Sequence, residues 1–187
     1  YDYLRLLFAR VGKTYCRVCG RLITRDSVHT VVDRITQEAD GAKFYLMFPM
    51  REHEGHTLKE ELSALKKRGF FRLIVNGALV DLNERAYTSS SKKGIFVLVD
   101  RYVLRKKDRA SETRMADSIQ TAFVEGDGYA ATYNLETKEH LSFNQHFECP
   151  GDHIRYEEPE PHLFSFNNPI GACPKCLGVG LASYSEE

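Results

Sequence analysis

Four of the five cysteines stand in two C-x-x-C pairs, Cys16 with Cys19 and Cys173 with Cys176. The fifth, Cys149, is followed by Pro150, Gly151, Asp152 and His153. Two thiols three residues apart on a Gly/Pro-punctuated turn point both sulfurs at one metal and make half of a tetrahedral site. The partner half for Cys173 and Cys176 must come from earlier in the chain. Two upstream candidates exist: Cys149 with Asp152 or His153, or the pair Cys16 and Cys19. An odd cysteine count suits a secreted disulfide framework poorly and suits metal thiolates in a reducing cytoplasm better. Redox dithiol chemistry is the weaker reading, because no thioredoxin-like βαβ pattern surrounds Cys173-Pro174-Lys175-Cys176. The expected cofactor is therefore Zn2+.

Other constellations carry less. His53-Glu54-Gly55-His56 superficially matches a zinc-protease helix, but its histidines are three apart rather than four and a glycine intervenes. Beside a capped helix start it reads as a polar loop. Glu157-Glu158-Pro159-Glu160-Pro161 is an acidic, proline-stiffened connector. There is no G-x-x-x-x-G-K-[ST] phosphate loop, no Ser/His/Asp order and no paired-carboxylate constellation. No catalytic residue is assigned, and the segment is expected not to be an enzyme.

The elements that must position the cysteines follow from periodicity. Residues 2–11 put Leu4, Leu7, Phe8 and Val11 at helical spacing, with Gly12 as the stop. Cys16–Gly20 is a knuckle. A second amphipathic helix carries Val28, Val31, Val32 and Ile35, capped by Asp26 or Ser27. Residues 43–50 read as a buried strand. Thr57-Leu58-Lys59-Glu60 is a capping box that opens a helix with Leu58, Leu62 and Leu65 inward and Gly69 at its end. Asn76-Gly77 between two apolar runs is a hairpin turn. Residues 95–104 form the longest strand, and 111–124 a helix with Met115, Ile119, Ala122 and Phe123 inward and Ser111 as its cap. Two short strands over 129–135 and 140–144 close the series. The order predicts an α+β fold, a mixed or antiparallel sheet with helices on one face.

Composition bounds the partners. With 187 residues, 42% hydrophobic and 28% charged, the chain reads as a globular protein of one to two domains. Lys plus Arg equal Asp plus Glu at 26 each, so no bulk basic field draws nucleic acid. No apolar run approaches a membrane span and no secretory signal opens the chain. The chain opens inside a helical pattern without a methionine, which reads as a piece of something larger.

Phe164-Ser165-Phe166-Asn167-Asn168-Pro169-Ile170-Gly171-Ala172-Cys173-Pro174-Lys175-Cys176-Leu177-Gly178-Val179-Gly180 resembles the first zinc module of the UvrA family, the DNA-damage-recognition ATPases of the bacterial UvrABC excinuclease. The opening Tyr1-Asp2-Tyr3-Leu4-Arg5-Leu6-Leu7-Phe8-Ala9-Arg10-Val11-Gly12 resembles the same family. The match is strong at both ends and looser between them. It implies three parts: 1–20, a helix and C-x-x-C root of the first nucleotide-binding domain; 21–145, a UvrB-interaction domain; and 146–187, a zinc-binding module leading toward the signature domain. It implies a role in nucleotide excision repair, within the SOS response, with UvrB, DNA and a second copy of the parent as partners. ATP would be handled only by parts of the parent outside this chain.

The family pattern is C-x-x-C, about twenty residues, C-x-x-C, and the first pair is degraded here. The resemblance then favours Cys149, His153, Cys173 and Cys176, since imidazole replaces thiolate without changing tetrahedral geometry. Cys16 and Cys19 with Cys173 and Cys176 remain the alternative. The family's partner-binding arginines fall at Arg72, in Gly69-Phe70-Phe71-Arg72, and at Arg101, in Val97-Leu98-Val99-Asp100-Arg101. Lys66, Lys67, Arg68, Lys92 and Lys93 would enlarge a basic patch. The rival reading is a nucleic-acid-contacting zinc knuckle, with Phe143, Phe147, Phe164 and Phe166 as base-stacking candidates.

Overall fold

The computed structural model describes all of the chain except residues 52, 54, 85–86, 89–93, 106–107 and 181–187. It divides into two compact units, residues 25–146 and residues 1–24 with 147–187.

The first unit is an α+β domain. Its elements run α2 (Val28–Thr36), β1 (Lys43–Pro49), α3 (Leu58–Lys67), β2 (Arg72–Val75), β3 (Ala78–Asp81), β4 (Ile95–Val103), α4 (Arg109–Glu125), β5 (Tyr129–Asn134) and β6 (His140–Asn144); α1 (Asp2–Val11) belongs to the other unit. The six strands form one antiparallel sheet in the order β3-β2-β4-β1-β5-β6. Asn76 and Gly77 take φ of 50° and 77°, the left-handed pair that a two-residue hairpin matching strand twist demands. The capping boxes Ser27/Thr30 and Thr57/Glu60 both form, each satisfying two backbone donors at a helix start. α4 begins earlier than its sequence suggests. Asp108 accepts from the amides of Ala110 and Ser111 and so displaces Ser111 as the cap. A carboxylate beside the helix N-terminus also gains from the macrodipole.

The sheet has two unlike faces. On one, Phe44, Leu46, Phe48, Leu73, Ile95 and Val97 pack against Val31 and Ile35 of α2, Leu62 and Leu65 of α3, and Met115, Ile119 and Phe123 of α4. On the other, Met47, Ile74, Leu98 and Ala131 form a separate cluster with Tyr45, Phe96 and Tyr133, to which no described helix contributes.

β4 carries a break in register that decides which face receives its charges. Leu46 of β1 opposes Asp100, but the next residue, Met47, opposes Leu98, so Val99 is an extra residue. Strict alternation from Leu98 would send Asp100 to the helix-free face and Arg101 inward. The bulge reverses that phase. Tyr102 reaches the core, Asp100 meets Arg114 and Ser118 of α4, and Arg101 stands opposite Tyr45 on the helix-free face.

Candidate metal centre and docking face

The second unit holds three turns of one design. In the first, Cys16 and Cys19 flank a turn whose return is bonded Cys16 N–H to Arg21 C=O (2.8 Å) and Gly20 N–H to Cys16 C=O (2.9 Å), with Gly20 at φ 70°. In the second, Cys149 N–H reaches Ile154 C=O (3.0 Å) and His153 N–H reaches Cys149 C=O (3.0 Å), with His153 at φ 52°. Cys173 and Cys176 make the third, closed by Leu177 N–H to Cys173 C=O (2.8 Å) with Leu177 at φ 50°. Superposing the patterns, Asp152 occupies the place of the second cysteine and His153 the place of Gly20. His153 there takes the left-handed backbone position, with φ 52°.

The first two turns converge. Cys16, Cys19, Cys149 and Asp152 offer ligand atoms that all lie within 4.8 Å of one another. Cys19 Sγ and Cys149 Sγ are 3.5 Å apart and form no disulfide. The Cys16 and Cys149 thiols donate to one oxygen of Asp152 at 3.2 and 3.3 Å. A tetrahedral zinc with Zn–S near 2.3 Å and Zn–O near 2.0–2.2 Å needs S···S edges of about 3.8 Å and S···O edges of about 3.5 Å. The donor set fits such an ion after outward movements of about 0.3 Å, within what rotamer adjustment supplies. Cys16 and Cys149 are buried, and with Ile23, Phe147 and Tyr156 they form the small core of this unit.

The electrostatics centre on the Asp152 carboxylate. Hydrogen bonds from Cys19, Cys16 and Cys149 hold Asp152 below its ordinary range. The same carboxylate pushes the Cys19 thiol up to about 12. The Tyr156 hydroxyl, donating to Cys16 Sγ at 3.2 Å, pulls Cys16 down, and knuckle amides from Cys19 and Val18 add to it.

The ligand sets read from the spacing are not the set that comes together. Cys149 is joined by Cys16, Cys19 and Asp152, and not by His153, Cys173 and Cys176. His153 sits with Nδ1 3.2 Å from the buried carboxylate of Glu148, which also takes Arg155 at 3.3 Å. Cys173 and Cys176 face each other as a separate half-site, where the amides of Cys176 and Lys175 and then the Cys176 thiol lower the Cys173 pKa. The signal for Asp152 was in the sequence: three-residue spacing defines the second ligand of a knuckle, and Asp152 alone keeps it.

Arg72 and Arg101 lie on adjacent strands, both on the helix-free face. They share an open groove of about 320 Å³ with Phe71, Asp81, Asn83 and Leu98. Arg72 Nε is 3.2 Å from Asp81, its cross-strand neighbour. Among the described residues the Arg101 guanidinium has no ion pair. Of the basic patch, Lys66 is turned to the Leu82 carbonyl and Arg68 to Glu125, while Lys92 and Lys93 lie outside the described residues. The aromatic stacking candidates are largely engaged: Phe143 is in the main core, Phe147 packs on the cysteine cluster, Phe164 meets Phe8, and Phe166 meets Tyr1.

Residues 26–136 match the family described as the UvrA interaction domain. The chain belongs to the UvrA family. Relatives named UvrABC system protein A agree along nearly its whole length. The protein of Methanothermobacter thermautotrophicus is 40% identical over 184 residues, covering 96% of this chain and 19% of the relative. The Rickettsia bellii protein is 40% identical over 192 residues (96% and 20%), and that of Listeria innocua 37% over 181 residues (96% and 18%). The chain thus spans about a fifth of the length of these UvrA relatives. Its matched part is the helix-backed sheet that presents Arg72 and Arg101. No helix among the described residues is long and apolar enough to cross a membrane.

Proposed function

We propose that this chain is the partner-docking segment of a UvrA excision-repair protein, in which the arginine-bearing sheet face binds UvrB and a zinc ion staples the adjoining module. The observation that carries this reading is the register break at Val99, which puts Arg101 beside Arg72 on the one face that no described helix covers. Arginine's planar fork of donors suits carboxylates, and desolvated arginines recur among the residues that dominate interfaces. Met47, Ile74 and Leu98 are already buried, so the apolar part of the patch comes from the partly exposed Tyr45, Phe96 and Tyr133 packed on them, beside the two arginines.

Zinc is held in this reading by Cys16, Cys19, Cys149 and Asp152, which closes a unit whose apolar core among the described residues is the small cluster of Cys16, Ile23, Cys149, Phe147 and Tyr156. The metal contributes folding energy and no chemistry. Cys173 and Cys176 stand as a preformed half-site beside it in sequence. The wider activities, recruitment of UvrB to damaged DNA, dimerisation and ATP hydrolysis, belong to the longer parent, in the cytoplasm.

Calorimetric titration of UvrB into this chain tests the docking reading. Each arginine hydrogen-bonded to a charged group contributes about 1.5–3 kcal/mol, so Arg72→Ala with Arg101→Ala lowers affinity at least tenfold. Both side chains are on the surface, so the melting midpoint moves by less than about 3 °C. Unaltered affinity removes these residues from the interface. If the zinc module were instead a nucleic-acid knuckle, single-stranded DNA would bind this chain with steep salt dependence.

A further inference from the structure

The loop between β1 and α3 brings two histidines onto one buried carboxylate. Glu61, in the first turn of α3, keeps only 6% of its side chain exposed. Its Oε1 is 2.8 Å from His53 Nδ1 and 3.5 Å from His56 Nδ1, and its Oε2 is 3.0 Å from His53 Nδ1. The His53 backbone N–H also donates to Oε1 at 3.0 Å. One ligand atom from each of the three residues lies within 4.8 Å of the other two. Both imidazoles are half exposed, and their ring centroids are 5.6 Å apart.

The His53–Glu61 contacts are hydrogen-bond distances, and they are also compatible with the edges between ligands of one ion. With metal–nitrogen and metal–oxygen bonds of about 2.0–2.1 Å, neighbouring ligand atoms stand about 2.9 Å apart at right angles and about 3.3 Å apart in a tetrahedron. The observed 2.8, 3.0 and 3.5 Å edges bracket both. A buried carboxylate also calls for a cation, and a metal ion held together with the His53 and His56 imidazoles supplies one. Imidazole and carboxylate donors suit zinc, cobalt, nickel and copper rather than magnesium or calcium.

We infer that His53, His56 and Glu61 form a second, exchangeable site for a divalent transition metal, independent of the cysteine cluster and of the docking reading. Three protein ligands leave at least one position for water, as in open rather than structural sites. A bound ion ties the 53–56 loop to the start of α3. His53 and His56 precede α3 and Glu61 lies in its first turn, so the three are brought together by the loop and the helix start rather than by one helix face.

The experiment uses the full chain with its cysteines first saturated with Zn2+, to which one equivalent of Co2+ is added. The imidazole resonances of His53 and His56 shift or broaden, while those of His29 and His140 do not. Calorimetry gives Co2+ affinity at least tenfold weaker in His53→Gln, and no binding at this site in His53→Gln/His56→Gln. Glutamine keeps a donor for the buried Glu61 carboxylate, and circular dichroism verifies that these variants keep the fold. Equal Co2+ affinity in wild type and double variant, or paramagnetic effects confined to other histidines, overturns the site.

Discussion

Replacing Cys149 by serine separates the ligand sets that the sequence left open. Cys149 is wholly buried, its sulfur 3.5 Å from that of Cys19 and 3.3 Å from Asp152. Structural zinc sites supply about 10–16 kcal/mol from four ligands, so one ligand is worth about 2.5–4 kcal/mol, or roughly seventy- to a thousandfold in affinity. Serine keeps nearly the same volume, so the loss reports ligation rather than a cavity. Competition against a zinc chelator of known strength is the assay, with melting followed in parallel. A site made of Cys16, Cys19, Cys149 and Asp152 loses affinity in both Cys149→Ser and Cys16→Ser and is indifferent to His153→Ala. A site made of Cys149, His153, Cys173 and Cys176 would be indifferent to Cys16→Ser. One made of both C-x-x-C pairs would be indifferent to Cys149→Ser. Zinc affinity within threefold of wild type in Cys149→Ser would refute the converging cluster.

Two further outcomes follow from the geometry. Zinc must displace the proton of Cys19, whose pKa stands at about 12 in the metal-free cluster. Metal affinity therefore rises with pH, by at least about tenfold for each unit between pH 6 and 8, because each proton released contributes 1.36 kcal/mol per unit; a flat profile in the same chelator assay would show that Cys19 is not a ligand. Deleting Val99 removes the extra residue but leaves Asp100 opposite Leu46 and Arg101 opposite Tyr45, so UvrB affinity stays within about threefold of wild type, whereas a loss as large as that of Arg101→Ala would show that the bulge itself, and not only the face of Arg101, shapes the interface.

Much of the domain was legible in the sequence because its signals were local. Thr57 announced its capping box and Ser27 was one of two cap candidates, Asn76-Gly77 announced its hairpin, and the Met115, Ile119, Ala122 and Phe123 stripe its buried helix face. What escaped was set by pairings distant in sequence. The bulge at Val99 depends on the register of β4 against β1, which no local pattern encodes. The cap of α4 moved because a carboxylate at Asp108 outcompetes a hydroxyl three residues on. Convergence of Cys16 and Cys19 with Cys149 spans some 130 residues. No local pattern marked Glu61 for burial, which comes with the contact of its carboxylate to His53.

The docking face is tested most directly by methyl resonances on the two sides of the sheet. Met47, Ile74 and Leu98 report the helix-free face, and Val31, Leu65 and Ile119 the helix-backed core. Adding UvrB to the labelled chain should perturb the first three and leave the second three in place. Perturbation confined to the helix-backed side, with Met47, Ile74 and Leu98 unmoved, would contradict binding through the Arg72 and Arg101 face.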